Sequence, residues 1–232
     1  QDISSDAAAN PPGQVKYAPV QNLSQLPMDG GWTYGEVLDK AAAGDFRANM
    51  LAGEYWMGLY YLNRGDLPLA CLEHMQHFFR DAATASGHPA PKLMMTDPYG
   101  IFGIFKVQPM QPKHAEWLAA CRKLAEKGDM DAVTALYTVT DLPEAELRRY
   151  LAPLEKKAAS GDQDALAQLA FIKVDWLKEN PANVIETLKQ YRKNAKPVLL
   201  ARIGELALAL DGKDGRGWRD TAIQSLSRAA EK

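Results

Sequence analysis

The chain has 232 residues, a formal net charge of −2, 47% hydrophobic residues and 24% charged residues. That length is enough to bury a substantial core, and the balance is that of a folded chain rather than a disordered one. With no basic excess to neutralise phosphates, a nucleic-acid partner is excluded. The longest apolar stretch, 198–210, is interrupted by Arg202 and Glu205, which excludes a transmembrane segment.

Residues 1–31 are rich in Ser, Asp, Asn, Ala, Gly and Pro and show no helical period, so they read as a flexible tail. A cleaved signal followed by a tether, signal-derived or lipid-anchored, is the expectation, which places the protein in the periplasm or otherwise outside the cytoplasm. A cytoplasmic protein cut at a cloning boundary is the alternative. Residues 32–232 read as one helical domain. Ala and Leu dominate its apolar set and β-branched runs are scarce, which favours helix.

In chain order, Thr33 caps a first helix to Ala43, and Gly44-Asp45 ends it. Residues 46–63 carry Met50, Leu51, Tyr55, Leu59 and Leu62 at helical spacing. Residues 67–83 follow, with Leu72, Met75, Phe78 and Phe79 on one broad face. Prolines and glycines then crowd residues 84–113, and no helix of useful length is expected between them. This insertion loop is unusually apolar, and a loop of that length is often functional. Helices resume at His114, with Trp117, Leu118, Cys121, Leu124 and Ala125 as an apolar stripe. Asp129 caps a short helix to about Tyr137. Asp141 and Glu144 have capping-box spacing for a helix to Ala159 that bends at Pro153. Further helices span 162–179, a stretch from Asn180-Pro181 with Val184, Leu188 and Tyr191 inward, 197–210, and a last one with Asp220 at or just inside its start.

The punctuation repeats. Ala41-x-x-Gly44-Asp45-x-x-Ala48 recurs as Ala125-x-x-Gly128-Asp129-x-x-Ala132 and as Ala158-x-x-Gly161-Asp162-x-x-Ala165. The last two glycines are 33 residues apart (161 minus 128), a period of one helix–turn–helix unit. Gly takes the left-handed conformation that closes one helix, Asp caps the next, and Ala permits close approach. Near the C-terminus, Gly204, Gly212, Gly215, Gly217, Asp220 and the pair Ala229-Ala230 follow a related pattern. This segment resembles the Sel-type repeat of the tetratricopeptide superfamily. The first hairpin is similar, with Gly58, Ala70 and Ala82-Ala83 at matching places. The resemblance covers most of 33–231 and weakens over 130–157, where the Gly-rich loop is missing. It implies an all-α superhelix, or solenoid, of helical hairpins.

The same resemblance implies a protein-binding module without catalysis and without a cofactor. Exported bacterial proteins of this class include immunity proteins that neutralise toxic secreted effectors, such as type VI phospholipases. An envelope scaffold for a secretion or polysaccharide assembly is the alternative. A third reading, an enzyme using 84–113 as a lid, lacks convergent polar groups, since the loop offers chiefly Lys92, Asp97 and Lys106.

Local constellations add no chemistry. His74 and His77 have metal-ligand spacing beside Glu73, but no third ligand is suggested. Cys121 and His114 stand seven residues apart on one helix, about 10.5 Å by the helical rise, too far for a nucleophile and its base. Asp211, Asp214 and Gly215 suggest a calcium loop, but Lys213 occupies a ligand position. Cys71 and Cys121 are two buried thiols or one disulfide; spacing alone does not choose.

Partner binding is expected at two places. Tyr55, Trp56 and Tyr60, with Tyr61, cannot all face one core stripe, so some are exposed, and Tyr and Trp are enriched in hot spots. In the loop, Leu93, Met94 and Met95 are expected to anchor, while Tyr99, Ile101, Phe102 and Phe105 form the partner surface.

Overall fold

The computed structural model describes residues 23–26, 28, 31–62, 68–95, 113–211 and 217–231. Among them the regular elements are helices, with no β-strand. They are α1 (Tyr34–Ala42), α2 (Phe46–Leu62), α3 (Pro68–Ala85), α4 (Pro89–Met94), α5 (His114–Ala125), α6 (Met130–Val139), α7 (Glu144–Ala159), α8 (Gln163–Asp175), α9 (Pro181–Leu188), α10 (Pro197–Leu210) and α11 (Trp218–Ala230). Short 3-10 turns precede α1 (Leu23–Gln25) and follow α9 (Lys189–Asn194).

The three Ala-x-x-Gly-Asp-x-x-Ala segments fold identically. Gly44, Gly128 and Gly161 have φ of +84°, +81° and +88°. Each glycine N–H donates to the alanine carbonyl three residues back, at 2.9, 2.9 and 3.0 Å. Each following Asp N–H reaches five residues back, to Lys40, Leu124 and Lys157. This is the paired hydrogen bonding of a Schellman closure. The Asp carboxylate then accepts the N–H of Ala48, Ala132 or Ala165 at 2.8, 2.9 or 3.1 Å. One short motif therefore ends a helix and starts the next. Thr33 and Glu36 form a reciprocal capping box at α1.

Every substantial helix contact joins elements near each other in the chain, chiefly α1 to α2, α2 to α3, α4 to α6, α7 to α8, α8 to α10 and α10 to α11. The core follows the same order. Val37, Ala48 and Leu51 form a first cluster. Met50, Phe79, Leu136, Tyr150 and Ile172 belong to a second. Ile185, Leu199, Ile203 and Trp218 belong to a third. Two glycines let helices meet closely. A Cβ on Gly53 would lie 2.5 Å from the Phe79 ring, and one on Gly204 would lie 2.6 Å from Leu226 Cγ.

Several expected helix boundaries need correction. The stretch 84–113 is not helix-free: α3 continues to Ala85, and α4 forms within it. Pro89 and Pro91 sit in the first turn of α4, where a missing N–H costs nothing. Leu93 and Met94 are buried and Met95 packs against the same core cluster. Residues 96–112 lie outside the described residues, as do 1–22, 63–67 and 212–216. The proposed capping box of α7 does not form. Pro143 is extended at ψ 139° and occupies the N-cap position without a side-chain bond, leaving Asp141 outside the helix. Helix α6 continues to Val139, and α8 stops at Asp175 rather than Glu179. Asp220 lies in the first turn of α11, behind Gly217 in the left-handed region at φ +67°. Cys71 and Cys121 are both buried free thiols.

Candidate partner-binding surfaces

Helix α2 presents Tyr55 and Trp56 in sequence, and both are half-buried. The Tyr55 ring lies 4.9 Å from Tyr34 of α1. Trp56 stacks on His74 of α3 at 4.3 Å. Burial pushes the Tyr34 and Tyr55 hydroxyls up from the ordinary tyrosine value. This patch is thus partly inter-helix packing and partly open surface. Tyr60 belongs to α2, but its side chain and that of Tyr61 lie outside the description, as do Tyr99, Ile101, Phe102 and Phe105.

A second aromatic cluster was not expected. Tyr137 of α6 stacks on Trp176, the residue closing α8, at 4.3 Å and 14° between planes. Phe171 meets Trp176 edge-on at 6.4 Å. The Arg202 guanidinium of α10 lies over Phe171 at 5.0 Å. All four side chains are half-buried. Burial pushes the Tyr137 hydroxyl up, and the Asp175 carboxylate nearby adds to it. Burial also raises Asp175, against the pull of Lys178 and Arg202. Tyr137 and Trp176 are 39 positions apart (176 minus 137), so only folding brings them together.

A polar junction lies where α2, α4 and α6 begin. His88 Nδ1 accepts the Ala90 N–H at 3.1 Å, so its Nε2 carries the proton directed at Asp129 Oδ2, 3.1 Å away. Phe46 flanks the imidazole at 5.1 Å. Arg47 of α2 pairs with Asp131 of α6. Burial raises Asp129, but the His88 hydrogen bond and the Ala132 N–H outweigh it and hold the carboxyl below the usual range. Asp131 is raised instead, because burial and the neighbouring Asp129 outweigh Arg47. The His88 and Asp129 bonds serve the starts of α4 and α6.

His74 and His77 turn to different neighbours, Trp56 and Asp81 respectively, with His77 Nε2 3.6 Å from Asp81. No group of three metal-ligating side chains converges among the described residues. The Cys121 thiol is pushed up to about 12, first by burial and then by Asp129, and carries almost no thiolate at neutral pH. Among the described residues no helix is long and apolar enough to cross a membrane. No protein-family model, no curated protein and no solved structure matches the chain.

Proposed function

We propose that this chain is a non-catalytic protein-binding module, a superhelix of Sel-type helical hairpins acting as a periplasmic immunity protein against a toxic secreted enzyme. The observation that carries the binding reading is the pair of half-exposed aromatic clusters, Tyr55-Trp56 on α2 and Tyr137-Trp176 between α6 and the end of α8. Large rings left half-open on rigid helices are the side chains that dominate binding energy at protein interfaces. The superhelix reading is supported by the near-neighbour packing and the three identical Gly-Asp turns. The effector class is inferred from the repeat architecture together with the expected export.

The test has two stages. The purified chain is used as bait against secreted proteins of its host, and any captured enzyme is then expressed in a bacterial periplasm with and without the chain. Rescue of growth is expected. Trp176→Ala and Tyr55→Ala should weaken binding by about tenfold or more, the usual hot-spot scale, while circular dichroism shows retained helix. A captured enzyme whose toxicity the chain leaves untouched overturns the immunity reading. Unchanged affinity in both variants removes the aromatic clusters as the site.

A further inference from the structure

The surface formed by the 3-10 turn Lys189–Asn194 and α11 carries an excess of positive charge that the whole chain, at −2, does not share. Arg192 donates to the Gln224 side chain at 2.9 Å, and Arg228, one turn further along α11, donates to the Lys193 carbonyl at 3.2 Å. These bonds fix the Arg192 and Arg228 side chains between the 3-10 turn and α11, beside the exposed residue Lys193. Lys189 and Lys196 flank them and are paired with Glu186 and Asp164. Arg192, Lys193 and Arg228 have no carboxylate partner among the described residues. Protein surfaces normally intersperse the two signs, so three adjacent uncompensated cations mark a place suited to an anionic partner.

Beside this patch runs an open groove of about 280 Å³ between α7, α8, α9 and the 3-10 turn. Its walls and floor include Ala158, Ala159, Leu166, Leu169 and Tyr191, with Gln190 at the edge. Gln190 and Tyr191 line the groove from the same 3-10 turn that carries Arg192 and Lys193. Glu155 and Lys173 also line the groove, and Lys173 lies 4.0 Å from Glu179.

We infer that this groove and its basic border bind a short acidic segment of a protein partner, one bulky apolar side chain entering between Ala159 and Leu169 while flanking carboxylates meet Arg192, Lys193 and Arg228. This deepens the protein-binding reading and rests on it, but the test needs no cognate partner. The probe is a short fluorescein-labelled peptide with glutamates flanking a Leu-Phe pair, titrated against the full chain by fluorescence anisotropy. Binding is expected that weakens with added salt and is absent for the same peptide with lysines in place of glutamates. Lys193→Glu should weaken it by about tenfold, since it places like charges together. Ala159→Phe, which fills the groove from an exposed position without removing a core atom, should weaken it comparably. Equal binding of the lysine peptide, or indifference to both variants, overturns the inference. Loss in Lys193→Glu with no effect of Ala159→Phe, accompanied by binding to phosphatidylserine vesicles, overturns it in favour of a lipid surface. A negative result here leaves toxicity rescue untouched, so the two readings fail separately.

Discussion

His88 and Asp129, 41 positions apart, join the start of α4 to the start of α6 through one imidazole. The Asp129 carboxylate accepts from His88 Nε2 with one oxygen and from the Ala132 N–H with the other. On the far side of the ring, Nδ1 satisfies Ala90. Because Pro89 and Pro91 have no N–H, Ala90 carries the donor that needs a cap in the first turn of α4.

His88→Ala should therefore cost about 1–3 kcal/mol, the penalty for a buried donor left unpaired. Ala90 is fully buried beside His88, which limits access of water to its N–H. His88→Asn, which keeps an acceptor at the N-cap, should recover part of the loss. Urea denaturation of the three proteins checks this, and equal midpoints for His88→Ala and the parent would contradict it.

The two aspartates of α6 should act in opposite directions in acid. Asp129 is held below the usual carboxylate range, so its stabilising contribution is present above that range and is lost as pH falls through the folded value. Asp131 is raised, so its ionised form costs stability at neutral pH and protonation relieves that cost. Asp129→Asn should flatten the loss of stability below about pH 4, and Asp131→Asn should remove a gain in stability that accompanies acidification just above about pH 4. Melting temperatures from neutral pH down to pH 3 provide the measurement. The same slope in both variants would refute the assignment.

The Gly-Asp turns should tolerate alanine unequally. At Gly44 an added Cβ meets nothing within 4 Å, so Gly44→Ala pays only for the left-handed backbone, about 1–2 kcal/mol. At Gly128 the Cβ would also lie 2.7 Å from Pro153 Cβ in α7. Gly128→Ala should be clearly worse than Gly44→Ala, because the ring of a helical proline has little room to move. Comparable losses by thermal denaturation would mean that the contact between the α5–α6 turn and α7 yields easily.

Gly53→Ala should destabilise by about 1–3 kcal/mol, the usual range for overpacking, by driving a methyl into the buried Phe79 ring. Adding Phe79→Leu should recover part of that loss, although Phe79→Leu alone is destabilising. Additive losses in the double variant would show that the two residues do not compete for the same space.

Cys121 should resist alkylation in the native protein. Its thiol is buried and pushed up to about 12. Iodoacetamide at pH 8 should modify it only after denaturant is added, and rapid native labelling would contradict the burial.

Much of the helical architecture was written in short-range signals. Gly44-Asp45, Gly128-Asp129 and Gly161-Asp162 are legible because their bonds span five residues or fewer, so the chemistry that ends one helix and caps the next lies in a single window of sequence. The capping box of Thr33 and Glu36 is legible for the same reason. Helix α4 was not, because Pro89 and Pro91 break a helix in its interior and are harmless in its first turn. Which of the two applies depends on His88, and His88 is oriented by Asp129 from another helix. Tyr55 and Trp56 stood out as aromatic residues crowded on one helix. Tyr137 and Trp176 did not, since each lies in an unremarkable stretch until the close of α8 lays one ring on the other. The basic border follows the same logic. Lys193 and Arg228 are 35 positions apart, and only tertiary packing brings the Arg228 guanidinium to the Lys193 carbonyl.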